Sequence, residues 1–267
     1  MCIINTSAQV DISYNYFRNA DSLYKAGKFE ESIINCERYL FYEPFGQYRT
    51  NIMIIEAKDF QQIKNFNNST EILLSIPRIH IDNSLNATIH YNLALNNYMT
   101  ENYEEAKIYI DQCFKLNVPS EIHENAEILK ILIFCELTQW DSIKNIVKHS
   151  NYLKKEQKDS LLKLLDKKPK LFNGKRLEWY SRFVPGSGQF IAGHVFEGLM
   201  SFVFCASSLS FGIYEVLNKY YFTGYFVGAG FLNNFYSGGI RRLNQIVVYE
   251  NKKRIEKFNK KIRNVIY

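Results

Sequence analysis

Residues that interrupt helices are scarce in this sequence, which contains 5 prolines and 13 glycines among 267 residues. Both residue types are unfavourable inside a helix, so their scarcity argues against a chain built from long loops. Hydrophobic residues make up 46% of the sequence, which is enough for one large or two modest domains. We therefore expect an all-α protein with short connections.

Cysteine pairs with the spacing of a metal site are also missing. The five cysteines include no C-x-x-C and no zinc-type arrangement, and their number is odd. This pattern argues against a zinc site, and we interpret the cysteines as small buried apolar residues in a reducing compartment.

No catalytic signature is present either. Gly186-Ser187-Gly188 lacks the Lys-Ser/Thr ending of a phosphate-binding loop, and the five histidines are scattered without H-E-x-x-H. The acidic pairs Glu30-Glu31 and Glu104-Glu105 fall where first helical turns are expected, and there the helix dipole favours them. We expect no enzymatic activity, no cofactor and no bound metal.

Charge is absent from two long apolar stretches, residues 198–214 and 220–240. A helix of roughly 20 residues, at about 1.5 Å each, crosses a hydrocarbon core of about 30 Å. The first stretch reaches that length only when it is extended to 195–217, and Asn218-Lys219 then turns the chain back. This pattern predicts a two-helix transmembrane hairpin within residues 183–242.

A buried hairpin in a soluble domain is the alternative, because Thr223, Asn233 and Asn234 make the second stretch less apolar. Two features favour the membrane. Gly224-x-x-x-Gly228 has the spacing that lets membrane helices approach closely, and small residues on the first stretch could match it. Aromatic residues also gather near the ends of both stretches, which is typical of the membrane interface.

Basic residues flank the apolar stretches. Residues 151–182 carry ten Lys/Arg against four Asp/Glu, and residues 241–267 carry nine against two. Such blocks favour anionic lipid headgroups over nucleic acid, which we do not expect as a partner. The positive-inside rule places both ends of the hairpin in the cytoplasm. Glu197 would then lie at a depth similar to Arg241 and Arg242, where an ion pair could form.

A repeat precedes this region, because four aromatic residues follow one another at intervals of 37 residues: Phe29, Phe66, Tyr103 and Trp140. Each follows a polar turn and opens an apolar-periodic run, so the pattern predicts a helix–turn–helix unit used four times. The predicted helices cover 11–26, 29–43, 46–63, 67–76, 84–99, 103–117, 120–137 and 140–150.

These units resemble the tetratricopeptide repeat. In the first unit, Tyr16, Ala20, Tyr24, Ser32 and Pro44 occupy the positions expected for that family, and in the third Ala94 and Ala106 occupy its small positions. The second and fourth units depart more, and the period exceeds the usual value of about 34 residues. The resemblance implies a TPR-like α-solenoid over residues 10–168, closed by a capping helix within 151–168, whose concave face binds a protein or peptide partner.

Beyond a linker and interfacial segment at 169–182, a second resemblance covers about 60 residues. It is similar to the P-G-S-G-Q-x-x-x-G signature of small bacterial membrane hairpins, and the matching residues are Pro185, Gly186, Ser187, Gly188, Gln189, Gly193 and Gly198. This resemblance implies a bacterial inner-membrane location and leaves residues 243–267 as a basic tail.

The first residues do not have the pattern of a signal peptide, because they contain no basic segment and only a short apolar run. Thr6-Ser7-Ala8-Gln9 does resemble the end of a cleavage site, which would place the repeats in the periplasm instead. The functional expectation is a membrane-anchored adaptor. The alternative is an accessory in membrane biogenesis or transport, whose hairpin docks other membrane proteins.

Overall fold

The computed structural model describes residues 6–79, 81–116 and 118–267, with side chains from Ile12 onward. The side chains of Thr6-Ser7-Ala8-Gln9, which resemble the end of a cleavage site, therefore lie outside the described residues. The regular secondary structure of the described residues is all helical, with no strand among them. The chain divides into two compact units, Met1–Leu162 and Lys163–Tyr267.

The first unit is a series of antiparallel helix pairs. The eight predicted helices are present, and apart from α1, which begins five residues earlier than predicted, their ends fall within three residues of the predicted positions. A further helix, α9, lies within the segment predicted to cap the repeats. The helices are α1 (Thr6–Lys25), α2 (Phe29–Tyr42), α3 (Arg49–Gln62), α4 (Phe66–Ser75), α5 (Asn83–Met99), α6 (Tyr103–Phe114), α7 (Ser120–Glu136), α8 (Trp140–His149) and α9 (Lys155–Asp166).

The interval of 37 residues corresponds to one turn geometry used four times. Each periodic aromatic is the first residue of α2, α4, α6 or α8. Two residues earlier the backbone is left-handed, with φ of 76° at Gly27, 62° at Lys64, 63° at Glu101 and 55° at Thr138. In each turn the next amide donates a hydrogen bond to the carbonyl five residues back: Lys28 to Leu23, Asn65 to Phe60, Asn102 to Asn97 and Gln139 to Phe134. We call these four segments the repeat turns.

We predict that Thr138→Gly stabilises the first unit. A β-branched residue with positive φ is strained, at a cost of about 1–2 kcal/mol, whereas glycine adopts this conformation freely. After the extra entropy of glycine in the unfolded chain is subtracted, a net gain of about 0.5–1 kcal/mol is expected in urea unfolding followed by circular dichroism. The matched control is Gly27→Ala at the equivalent position, which should lose stability; a loss in both variants would contradict this account.

The position three residues after each periodic aromatic lies in the tightest packing of the unit. Ser32, Ser69, Ala106 and Ile143 are all fully buried. In the first pair the Ser32 hydroxyl donates to the Ala20 carbonyl at 3.0 Å, so a small residue is needed where α2 crosses α1. The fourth pair accommodates the larger Ile143, which explains why its sequence departs from the others.

The second unit consists of α10 (Gly174–Phe183), α11 (Ser187–Ile191), α12 (Val195–Leu217) and a long helical arm that returns along α12. The arm begins with the short α13 (Tyr221–Thr223), continues through a π-helical segment at Gly224–Ala229, and ends as α14 (Gly230–Ile266). We call this arm, residues 221–266, the return helix. The turn before it has the geometry of the repeat turns, with φ of 66° at Lys219.

Residues 169–182, expected as a linker and interfacial segment, contain α10, which begins at Gly174; Asn173 caps it by accepting from the Arg176 amide. Residues 243–267, expected as a basic tail, continue α14 without a break to Ile266. From this part of α14, Leu243, Ile246 and Val247 pack with Leu177 and Ala192 to form the core of the unit.

Polar contacts also hold α14 in this unit. The Asn251 side chain both accepts from the Phe172 amide at 2.8 Å and donates to the Phe172 carbonyl at 2.9 Å. The Arg254 guanidinium lies 3.9 Å from the centroid of the Phe172 ring and donates to the Lys170 carbonyl. Basic residues that suggested a free tail therefore fix the segment before α10.

Candidate functional site: the base of the glycine-rich hairpin

Of the helices in the described residues, α12 is the one long and apolar enough to cross a membrane. Its large side chains are mostly uncovered; Val195, Phe196, Leu209 and Ile213, for example, are about half exposed or more. The return helix packs antiparallel to it, but it is divided by the π-helical segment and carries Asn233 and Asn234. A second crossing of the membrane therefore stays a prediction.

Glycines bring the backbones of α12 and the return helix into contact. A Cβ added at Gly228 would lie 2.5 Å from the Gly212 Cα, and one added at Gly224 would lie 2.9 Å from the Gly212 carbonyl oxygen. Gly224 and Gly228 therefore occupy the helix-packing positions expected from their spacing. The facing small residues on α12 are Ser208, which is buried, and Gly212.

The P-G-S-G-Q segment forms the base of the hairpin, where α10, α11 and α12 meet the return helix. Pro185 lies in the turn between α10 and α11, and Gly186 follows with φ of 89°. The backbones of Gly186 and Gly198 are so close that a Cβ on Gly198 would lie 2.8 Å from the Gly186 carbonyl oxygen. Gly193, with φ of 91°, ends α11 and allows α12 to begin two residues later.

Gly188 and Gln189 fasten α11 to its neighbours. The Gly188 amide donates to the Ser181 hydroxyl at 2.9 Å, and a Cβ at this position would lie 2.6 Å from Leu243 Cδ2. Gln189 is 1% exposed, and its Nε2 donates to the Gly239 carbonyl of α14 at 2.8 Å. Two buried atoms have no hydrogen-bond partner among the described residues, namely Gln189 Oε1 and the Ser187 hydroxyl oxygen.

Charged side chains surround this base. Glu197 accepts two hydrogen bonds from Arg242, at 2.5 Å from Nε and 2.9 Å from Nη2. Arg241 is exposed and has no ion pair in the part of the chain that the structure describes. Of the two arginines, the structure thus brings Arg242 to Glu197. Successive residues of a helix point about 100° apart, and Arg242 lies on the side of α14 that faces α12.

His194 extends the ion pair into a cluster that the sequence did not suggest. Its Nδ1 lies 3.3 Å from Glu197 and its Nε2 lies 3.4 Å from Glu250. An imidazole donates from both nitrogens only when it carries two protons. Glu250 is 53 residues from Glu197, and no spacing or motif in the sequence relates the two.

We predict that Glu197→Gln and Arg242→Gln are non-additive in thermal stability in detergent. A bidentate pair is lost when either partner is removed, so the double variant should lose less than the sum of the single losses. Arg241→Gln is the matched control and should add its small effect independently. Additive losses for Glu197 and Arg242 would show that their contact contributes nothing to stability.

The four periodic aromatic residues, which the sequence predicts as anchors of the repeats, pack at the repeat turns. Phe29, Phe66 and Tyr103 are half-buried, and Trp140 is 6% exposed. The Phe29 ring lies 6.1 Å from that of Tyr24, and the Tyr103 ring lies 5.7 Å from that of Tyr98. Each of these contacts closes a repeat turn across the end of the preceding helix.

Comparison with known protein families, characterised proteins and solved structures found no significant match for this chain. In the described ranges, no group of three or more His, Cys, Asp or Glu side chains has the arrangement of a metal site. The geometry of the two units is therefore the basis for a functional proposal.

Proposed function

We propose that the chain is a membrane-anchored adaptor, in which tetratricopeptide-like helical repeats bind a protein or peptide partner and the hairpin anchors them to a bacterial inner membrane. The observation that carries the proposal is the uncovered apolar surface of α12. A contiguous exposed apolar face of this size is costly in water and favourable in lipid.

The segment before the hairpin supports an interfacial position. On α10 the side chains of Leu177 and Ser181 are buried, while Trp179 and Phe183 are 57% and 70% exposed, with ring centroids 4.7 Å apart. Basic residues lie on the same short helix, and aromatic and basic side chains together favour the headgroup region.

The repeat geometry supports the adaptor half of the proposal. Four turns of one conformation at a constant interval produce a regular stack of helix pairs, and such stacks present extended surfaces to protein or peptide partners. Gly224 and Gly228 pack against Gly212 within the hairpin, so these two glycines are not available to dock another membrane protein, as the accessory alternative would use them.

We predict that the chain floats with membranes, resists carbonate extraction, and has both ends of the hairpin in the cytoplasm. The basic residues on either side of residues 183–240 favour this orientation by the positive-inside rule. In spheroplasts, external protease should leave the repeats intact and should digest them only after lysis. Digestion before lysis would place the repeats in the periplasm, and failure to float would refute the membrane anchor.

Deleting residues 1–150 distinguishes adaptor from accessory. The shortened chain should still float with membranes but should no longer co-purify the partner that the full chain retains in mild detergent. If the shortened chain retains that partner, the hairpin is the binding element and the accessory function replaces our proposal.

A further inference from the structure

One side of α14 is uncovered within the apolar part of the chain. Gly230, Asn234 and Gly238 recur at intervals of four residues, so they share a helix face, and all three are exposed. A Cβ added at Gly230 or Gly238 would meet no atom within 4 Å. Gly228, by contrast, is used inside the hairpin. The face formed by Gly230, Asn234 and Gly238, which we call the α14 stripe, has no packing partner in the described chain.

Asn234 places a carboxamide on this stripe. Its backbone carbonyl accepts from Ser237, but no hydrogen bond of its side chain occurs in the described residues. In the membrane position proposed above, this amide would lie within the hydrocarbon, where a polar group without a partner is strongly disfavoured. A donor and an acceptor from another molecule would satisfy Asn234, and the flanking Gly230 and Gly238 leave room for that molecule on the face of Asn234.

A groove of about 340 Å³ lies beside the stripe, between α12 and α14, and Asn234 and Gly238 form part of its lining. Gln189, which is 1% exposed, also lines it, and its Oε1 is the buried acceptor without a partner. A residue with an unsatisfied buried acceptor, independent of the stripe, thus borders the groove. Its apolar walls are formed by Phe196, Met200, Phe204 and Phe235.

We propose that a second copy of this chain packs on the α14 stripe and covers the groove, so that the protein forms a parallel dimer in the membrane. The inference rests on the proposed membrane anchor. Copies inserted with the same orientation can associate about a two-fold axis along the membrane normal, which brings each residue near the axis to its own equivalent. Asn234 of one copy then meets Asn234 of the other at the same depth.

The side chains of the α14 stripe suit a second copy of this chain. A carboxamide has both a donor and an acceptor, so two of them can exchange hydrogen bonds across a two-fold axis. Glycines four residues before and after Asn234 allow the two helices to approach closely, as small residues do at membrane helix interfaces. A phospholipid acyl chain could fill the apolar groove, but it has neither a donor nor an acceptor for the Asn234 carboxamide.

Cysteine cross-linking of the full chain in membranes tests the proposal. Asn234→Cys should give a disulfide-linked dimer on mild oxidation, because the two positions meet at the axis. Asn233→Cys is the matched control: its native side chain is also an exposed amide, but it is about 100° away around the helix and should cross-link little. The native cysteine of α12, Cys205, is only 3% exposed. Oxidation of the parent chain measures how much disulfide-linked dimer forms through the native cysteines.

A second measurement avoids oxidation. Energy transfer between labelled copies in phosphatidylethanolamine–phosphatidylglycerol vesicles should show association that weakens at least tenfold in Asn234→Leu and in Gly238→Val. Both positions are uncovered in the chain, so the hairpin itself should be preserved. Asn233→Leu should associate as the parent does.

The outcomes separate two failures. If the parent chain does not float with the vesicles, the membrane anchor itself is refuted. If it floats but shows no energy transfer, or if Asn233 and Asn234 variants behave alike, the anchor stands and the dimer is refuted. Disulfide cross-linking of Asn234→Cys only to unrelated protein species would also refute it.

Discussion

Replacing Trp140 with alanine is expected to destabilise the fourth helix pair by about 3–5 kcal/mol, the range found for large aromatic-to-alanine changes in cores. Trp140 is the first residue of α8 and is only 6% exposed. Removing the indole leaves a cavity at the turn that joins α7 to α8. A loss of this size is a large part of the whole stability of a typical domain.

The measurement is amide hydrogen exchange of the full chain, because it reports local stability. Amides of α7 and α8 should exchange about two to three and a half orders of magnitude faster in Trp140→Ala, given tenfold for each 1.4 kcal/mol. Trp140→Phe keeps most of the ring and should lose much less. Tyr103→Ala, at the equivalent but half-buried position, should also lose less than Trp140→Ala. Equal losses of stability in Trp140→Ala and Tyr103→Ala would show that the burial of the aromatic ring does not determine the size of the loss.

The starts of the second helices of the four repeats could be predicted from the sequence, because each turn requires an aromatic residue immediately after it. The residue that opens each second helix is aromatic, and the turn before it must adopt positive φ, so spacing alone located α2, α4, α6 and α8. The requirement for positive φ was not visible in the sequence, since Lys64, Glu101 and Thr138 adopt it where only Gly27 has the residue expected for it.

The base of the hairpin was only partly predictable, because its contacts join residues far apart in the chain. Glycine spacing identified Gly224 and Gly228, and matching depth related Glu197 to the arginines. The contacts of Gln189 with Gly239, 50 residues away, and of His194 with Glu250, 56 residues away, depend on how the return helix is rotated. The π-helical segment changes that rotation, and its position has no clear sequence signal.

Two buried carboxyl groups in the first unit were also missed, since acidic residues are ordinarily found on the surface. Glu56 and Asp59 on α3 are 7% and 0% exposed, and neither oxygen of Asp59 has a hydrogen-bond partner in the described residues. Burial, together with the nearby carboxylates of Glu37 and Asp59, raises the pKa of Glu56 to about 7. Burial raises the pKa of Asp59 to about 6, although the nearby Ser32 hydroxyl acts in the opposite direction.

We predict that the stability of the first unit falls as pH rises from about 4 to about 8. Because the pKa values of both carboxyl groups are raised in the folded state, that state binds more protons than the unfolded chain in this interval. The protonated groups contribute fully below the unfolded pKa values near 4, and their contribution is lost as pH passes the folded values. At about 1.4 kcal/mol for each pKa unit, the loss is roughly 3 kcal/mol for each group.

Urea unfolding at pH 5 and pH 8 checks this, with Asp59→Asn and Glu56→Gln as the test variants. Each replaces a group that must ionise while buried, so each should gain up to about 3 kcal/mol over the parent at pH 8, less the cost of any unpaired amide. At pH 5, which is above the unfolded pKa values but below the folded ones, the gain should be roughly half as large or less. Glu30→Gln, which removes an exposed carboxylate of α2, is the control and should leave the pH dependence unchanged. A parent protein as stable at pH 8 as at pH 5 would mean that these two carboxyl groups ionise in the folded state without a penalty, and that water or another group solvates Asp59 inside the repeats.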